Sequence, residues 1–277
     1  MARDCCATIL SVRLVAASLA VVALLQAPLG AQDALAEARR LYNASQYEAA
    51  ERSARIAVAA AATANSARLV LGRILLERFR ESASDAHLSE GRALLREVRP
   101  SSLDARERIE WMLGIGEGLF LEDRFGAAAE TFEPIIASSS VLGAAAHEQV
   151  LDWWASALDQ YASSRPVAER PSVYARITAR MSSELERDPG CGPANYWLAA
   201  AARGAGETEI AWSRAISAWV RAPLARDHGA ALRADLDRLV LHALIAERAA
   251  KLTGREAAQA VAALSADWEA FKAAWTK

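Results

Sequence analysis

Cysteine is scarce in this chain of 277 residues. Two of the three cysteines, Cys5 and Cys6, are adjacent near the amino terminus, so Cys191 is alone in the rest of the sequence. No intramolecular disulfide can therefore form after residue 31, and packing must stabilise the fold. With 53% hydrophobic residues, the chain can bury a core large enough for this.

An excess of charge of either sign is also lacking. The sequence carries 32 lysine and arginine residues against 34 aspartate and glutamate residues, which gives a formal net charge of -2. This balance does not create the basic surface that proteins use to bind nucleic acid or an anionic membrane. We therefore expect no nucleic-acid partner.

The apolar run near the amino terminus falls well short of the ~20 residues that a membrane-spanning helix needs. It extends from Leu14 to Leu25, follows arginines, and precedes the small residues of Leu29-Gly30-Ala31. This arrangement predicts a signal peptide over residues 1–31, cut after Ala31, and a periplasmic or secreted protein without membrane insertion after cleavage. Gln32 stands where lipid attachment would require cysteine. A leader retained as an anchor is the alternative.

Residues 32–277 show no sustained alternation of apolar and polar residues. Apolar residues instead recur at spacings of three and four, which predicts amphipathic helices and an all-α fold. Breaks separate the helices at intervals typical of helix pairs, at Asn65-Ser66, Pro100–Ser102, Ser138–Ser140, 163–166, 189–193, Pro223 and Gly254. Such regular spacing indicates an internal repeat.

The clearest repeat covers residues 192–225. Its small and apolar positions are Leu198, Ala199, Ala202, Gly206, Ala211, Ala215, Ala218 and Pro223. This register resembles the 34-residue tetratricopeptide repeat, in which small residues let two antiparallel helices approach closely. Similar registers cover residues 31–64, 65–104 and 109–142. Residues 143–190 do not align with them, and residues 226–277 read as capping helices.

The resemblance to the tetratricopeptide repeat family implies an α-solenoid over residues 32–277. In that fold, antiparallel helix hairpins stack into a right-handed superhelix, and each hairpin covers an apolar face of its neighbour. Pro134 falls within the second helix of its repeat, where a proline removes a backbone hydrogen bond.

No catalytic, metal-binding or cofactor-binding motif is recognisable. The Gly114–Gly118 segment follows no strand and falls on a predicted helix, so packing explains it better than phosphate binding. The four histidines lack the paired spacing of zinc ligands, and no nucleophile motif is present. We therefore expect no cofactor, no metal and no enzymatic activity.

The resemblance further implies that the first helix of each repeat lines a concave groove for a protein or peptide partner. The corresponding positions are Arg39, Tyr42, Asn43, Leu69, Arg73, Leu76, Leu113, Glu117, Phe120, Tyr196 and Arg203. Aromatic and arginine side chains dominate binding energy at interfaces, so this set predicts a partner-binding scaffold, with envelope assembly as its expected setting. Two alternatives stay open. One is a periplasmic small-ligand-binding component of a transport system, and the other is a helical glycan-processing enzyme.

Overall fold

The computed structural model describes residues 30–251 and 255–275, and every regular element in these ranges is helical. The all-α prediction is therefore confirmed for the described residues. The predicted break at Gly254 and nearly all of the predicted leader lie outside them. The expected cut after Ala31 falls within the first turn of the first helix, whose residues run from 30 to 43.

The described chain divides into two compact units, one up to Glu122 and the other from Asp123 onward. Unit 1 contains α1 (30–43), α2 (Tyr47–Val58), α3 (Ala64–Ser82), α4 (Asp85–Glu97) and α5 (Ala105–Phe120). Unit 2 begins with α6 (Phe125–Ile136), α7 (Ala144–Ser163), α8 (Arg170–Arg187), α9 (Gly192–Gly204) and α10 (Thr208–Arg221). It continues with α11 (Ala230–Leu239), a π-helical turn (Val240–Leu244), α12 (Ile245–Ala249) and α13 (Arg255–Trp275).

Each of the four predicted repeats includes most or all of two consecutive helices. The repeats at 31–64 and 65–104 contain α1 with α2 and α3 with α4, and the repeat at 192–225 contains α9 with α10. The repeat at 109–142 contains most of α5 together with α6, and these two helices belong to different units. The segment that could not be aligned, 143–190, holds α7 and α8.

Close backbone approach explains the small residues within the pairs. A Cβ atom placed on Gly91 of α4 would lie 2.9 Å from the carbonyl oxygen of Gly72 on α3, so a larger residue would force these helices apart. Alanines perform this role between α9 and α10, where Ala199, Ala202, Ala211 and Ala215 are all buried. The helices thus pack with small contact residues at their crossings.

Helices also pack beyond their own pair. In unit 1, α3 contacts α2, α4 and α5, and in unit 2, α9 contacts α7, α8, α10 and α11. The odd-numbered helices α3 and α5 therefore lie side by side, as do α7, α9 and α11. In unit 1, buried clusters pack α1 and α2 against α3, and α3 against α4 and α5. In unit 2, one buried cluster joins α9 and α10 to α11, α12 and α13.

Candidate functional site

A cavity of about 360 Å³ lies among α1, α3 and α5 of unit 1. Seven residues line it, namely Arg39, Tyr42, Asn43, Val70, Arg73, Arg106 and Glu110. Four of the residues predicted to form the partner groove, Arg39, Tyr42, Asn43 and Arg73, therefore share one cavity. We call it the α1–α3–α5 cavity.

Ion pairs hold two of the arginines in this cavity. Arg39 Nη2 lies 2.6 Å from Glu107 Oε1, and Arg106 Nε lies 3.1 Å from Glu110 Oε1. Arg73 instead places its guanidinium carbon 5.0 Å from the centroid of the Tyr42 ring, a cation–π geometry. Burial raises the pKa of Tyr42, so its hydroxyl stays protonated at neutral pH.

Glu117 lies beneath this cavity rather than in it. Its side chain is 1% exposed, and neither carboxylate oxygen has a hydrogen-bond partner among the described residues. The nearest guanidinium nitrogens are Arg73 Nε at 3.8 Å and Arg80 Nη1 at 3.9 Å. Burial raises the pKa of Glu117 against the opposing effect of both arginines. The expectation that Glu117 faces a partner is therefore corrected, because its carboxylate is enclosed.

Three leucines assigned to the groove also lie in the interior. Leu69 and Leu76 are fully buried beside Leu95, and Leu113 is 3% exposed. They occupy the face of α3 and α5 that packs on the core, so they stabilise the unit and are not available to a partner. Phe120, near the end of α5, is half-buried.

Two cavities in unit 2, of about 600 Å³ and 570 Å³, share Tyr196 and Trp197 of α9. The first is bounded by α7, α9 and α11, and the second by α7, α8, α9 and the α11–α12 region. Together they follow one face of α9, and we call them the α9 groove. Tyr196 and Arg203, the two predicted groove residues of unit 2, both line it.

Carboxylates outnumber guanidinium groups in the α9 groove by six to three. The acidic lining residues are Glu148, Asp152, Asp159, Asp227, Asp235 and Glu247, and the basic ones are Arg170, Arg203 and Arg226. Some of this charge is paired within the groove, since Arg226 Nε lies 3.5 Å from Glu148 and Arg203 Nε lies 2.7 Å from Glu247. The groove therefore carries an excess of negative charge.

Asp152 and Asp159 of α7 contribute most clearly to that excess. The indole N–H of Trp197 donates to Asp152 Oδ1 at 2.8 Å, and the hydroxyl of Tyr174 donates to Asp159 Oδ1 at 2.9 Å. Both donors are neutral, and no lysine or arginine nitrogen of the described residues lies within 4 Å of either carboxylate. Burial raises the pKa of Asp152, the Trp197 hydrogen bond lowers it, and the charge of Asp235 raises it further.

Tyr196 lies between these carboxylates, because it lines both cavities while Asp152 lines the first and Asp159 the second. Its pKa is raised by burial and then by the charges of Asp235, Asp159 and Asp152. The charges of these three carboxylates therefore act on the Tyr196 hydroxyl, against a smaller opposing effect of Arg238.

The acidic side of the groove was missed in the sequence because the register of α7 could not be assigned. A usable signal was present, since Glu148, Asp152 and Asp159 follow one another at spacings of four and seven on one face of a helix. Asp235 of α11 could not be found this way, because its proximity to Asp152 depends on how α11 packs against α9.

A serine, a histidine and a glutamate also meet in unit 2. Ser139 Oγ lies 2.7 Å from His147 Nδ1, and His147 Nε2 lies 3.2 Å from Glu184 Oε2. Ser139 is fully buried and its Oγ also lies 2.8 Å from the carbonyl oxygen of Ile136, so no substrate reaches the hydroxyl in this structure. The three residues connect the ends of α6, α7 and α8, and we assign them a structural role.

Among the described residues, no group of three or more histidine, cysteine, aspartate or glutamate side chains is arranged to hold a metal ion. Over the same residues, no helix is both long enough and apolar enough to cross a membrane.

Comparison of the chain with protein-family models, curated proteins and solved structures found no match. The resemblance to tetratricopeptide repeats therefore rests on the residue pattern, and the function has to be argued from the two sites described above.

Proposed function

We propose that this chain is an exported, tetratricopeptide-like helical scaffold whose α9 groove binds an extended segment of a protein partner. The observation that supports the proposal is that odd-numbered helices form the main walls of two of the three cavities. In unit 1 these are α1, α3 and α5, and in unit 2 the main walls are α7, α9 and α11. Stacked hairpins bring first helices side by side in this way and leave their shared face open to a ligand.

The chemistry of the α9 groove supports a peptide as the ligand. Tyr196 and Trp197 provide aromatic surface that both cavities share, and Arg203, Asp152 and Asp235 provide polar groups on different helices. Aromatic residues can contact the side chains of an extended peptide, and dispersed polar groups can bind its backbone amides. The small-ligand alternative predicts apolar walls, whereas the lining of all three cavities is rich in charged residues.

The proposal is tested by selecting peptides from an unbiased displayed library on the full chain and measuring their affinity by fluorescence anisotropy. We expect Tyr196→Ala to weaken binding of the selected peptides by about thirtyfold or more, since an anchoring aromatic contributes about 2 kcal/mol or more. Ile210→Ala is the control, because Ile210 is 48% exposed on α10 and lines neither cavity of the α9 groove. Equal affinities for Tyr196→Ala and the unmodified chain would place binding elsewhere.

A second candidate function is glycan hydrolysis, and Asp152 is the observation that favours it. Asp152 has a raised pKa and lines the same cavity as Asp235, Tyr196 and Trp197. A glycosidase needs a general acid with a raised pKa, a second carboxylate and aromatic surface for a sugar. The test is release of reducing ends from chitooligosaccharides and purified peptidoglycan, compared with Asp152→Asn. Turnover that Asp152→Asn abolishes would establish this function, and no turnover would remove it.

A further inference from the structure

The negative charge of the α9 groove has a specific arrangement along α7. Asp152 and Asp159 are seven residues apart, so they lie on one face of the helix and about 10.5 Å apart along its axis, at about 1.5 Å per residue. In each carboxylate, Oδ1 accepts a hydrogen bond from a neutral donor, and Oδ2 has no hydrogen-bond partner among the described residues. Each aspartate can therefore still accept a charged donor.

An extended peptide fits this spacing. Residues three apart in an extended polyproline II segment lie on the same side of the chain and are separated by about 9.3 Å, at about 3.1 Å per residue. Asp152 lines one cavity of the α9 groove, Asp159 lines the other and Tyr196 lines both, so a segment that contacts both aspartates would pass Tyr196. Two basic residues at positions i and i+3 of a partner would thus reach the two aspartates in turn.

The aromatic residue between the aspartates favours the same ligand. Tyr196 lines one cavity with Asp152 and Asp235 and the other with Asp159, so a cation near the face of its ring gains from the ring and from the carboxylates together. The groove's three arginines do not occupy these positions. Arg203 pairs with Glu247 and Arg226 with Glu148, and the Arg170 guanidinium donates to the backbone carbonyl oxygens of Arg165 and Ser163.

We infer that the α9 groove recognises a basic, extended segment of a partner protein, with two lysine or arginine residues three positions apart that bind Asp152 and Asp159. The inference deepens the proposed function and rests on it. Its electrostatic basis is general, because complementary charge selects partners and suppresses those of like charge. The proposal requires two basic residues and an extended backbone, and it specifies no other residue of the partner segment.

The experiment titrates the full chain with three fluorescein-labelled peptides of about ten residues, built on the same glycine and serine background. The first has arginines at i and i+3, the second has the same two arginines adjacent, and the third has glutamates at i and i+3. We expect the first to bind about tenfold more tightly than the second, the third not to bind, and the affinity of the first to fall with added salt.

Substitutions then assign the contacts. We expect Asp152→Asn and Asp159→Asn each to weaken the first peptide about fivefold to tenfold and to reduce its preference over the second. Asp267→Asn is the matched control, because it makes the same chemical change at an exposed position on α13 that lines neither cavity. Far-UV circular dichroism of every variant confirms that the helices are retained.

The outcomes separate this inference from the proposed function. Equal binding of the first two peptides overturns the spacing, and tight binding of the glutamate peptide overturns the charge preference. If library peptides depend on Tyr196 but carry no basic pair, the inference fails while the proposed function stands. If no peptide of any charge binds, both fail.

Discussion

Gly204 ends α9 directly against the ring of Tyr174. A Cβ atom at this position would overlap the ring carbons of Tyr174, whose hydroxyl donates to Asp159 in the α9 groove. Alanine normally stabilises a helix relative to glycine, by about 1 kcal/mol. Here the ring cannot stay in place beside a methyl group, so this glycine is required by packing.

We therefore expect Gly204→Ala to lower the free energy of unfolding by about 1–3 kcal/mol, the usual cost of overpacking. Chemical denaturation followed by circular dichroism measures the change. Gly192→Ala, near the start of the same helix, is the control, because nothing lies within 4 Å of its added Cβ. A Gly204→Ala chain as stable as the unmodified protein would show that Tyr174 moves without cost.

Burial of Glu117 is expected to make the folded protein less stable as pH rises, the opposite of the usual effect of a paired carboxylate. Its pKa in the folded state is raised above the ordinary value of 4.5, chiefly by burial. As pH rises through 4.5, the unfolded chain releases this proton first, so the folded state binds more protons and stability falls with pH. The loss continues until pH passes the raised folded pKa, and below 4.5 the contribution is constant.

We expect the stability of Glu117→Gln minus that of the unmodified chain to be constant at low pH and to increase as pH rises above about 4.5, the unperturbed value. Other carboxylates with raised pKa, such as Asp152 and Glu148, are present in both chains, so the difference isolates residue 117. Urea denaturation at a series of pH values provides the measurement. A difference that does not change with pH would mean that Glu117 is not desolvated in solution.

At the scale of the helix, α5 is the element whose start is best defined. Asp104 Oδ1 accepts from the backbone N–H of Glu107 at 2.8 Å, and the Glu107 side chain accepts in return from the N–H of Asp104 at 3.4 Å. This reciprocal capping box satisfies two backbone donors that the helix leaves open. Ser84 occupies the equivalent position before α4 but makes no capping hydrogen bond through its side chain.

Replacing Asp104 with alanine is expected to destabilise the chain by about 1 kcal/mol, the typical contribution of an N-cap. Ser84→Ala is expected to have a clearly smaller effect, because it removes no capping bond. Thermal denaturation of the two variants side by side makes the comparison. Similar losses for both would indicate that the cap of α5 is not formed in solution.

The helices and their boundaries show which parts of the fold could be predicted from the sequence. Helical periodicity and the breaks between helices were enough to predict the all-α fold, because they are local properties. Asn65 shows where local reasoning fails: it was taken as a break, yet it lies in the first turn of α3. Its side chain accepts from the N–H of Arg99 at 2.8 Å, a contact across 34 residues that no local pattern contains.

The site was predictable in the same limited sense. Arg39, Tyr42 and Asn43 share a cavity because residues three and four apart on α1 share a face. Leu69, Leu76 and Glu117 were misplaced because the face of a helix that meets the core depends on the neighbours that cover it, and here those neighbours come from other helices. The register of a repeat indicates a face, but only packing decides whether that face is open.

For the molecule as a whole, the two units carry different electrostatic environments. The arginines of the α1–α3–α5 cavity have carboxylates nearby, as Arg39 has with Glu107 and Arg106 with Glu110. The α9 groove keeps carboxylates without a basic partner. The near-zero net charge of the sequence therefore does not reveal the local excess of negative charge in the α9 groove. For this reason the total charge alone could not predict a basic partner.

The division into two units also predicts how the chain opens. Cys191 lies at the start of α9 in unit 2, is 3% exposed, and has its pKa raised by burial to about 12. Its thiol is therefore expected to react with a disulfide reagent only when unit 2 opens. A chain with Cys5→Ser and Cys6→Ser leaves Cys191 as the only thiol, so its reactivity reports on that unit alone.

Two fully buried leucines, Leu75 in unit 1 and Leu236 in unit 2, allow a matched test. Replacing either with alanine is expected to cost about 2–5 kcal/mol, because a cavity remains in the core. If the units open independently, Leu236→Ala accelerates the reaction of Cys191 with Ellman's reagent by at least tenfold, whereas Leu75→Ala leaves it nearly unchanged. Equal acceleration by both would show that the two units unfold as one, because a lesion in unit 1 would then have exposed a thiol in unit 2.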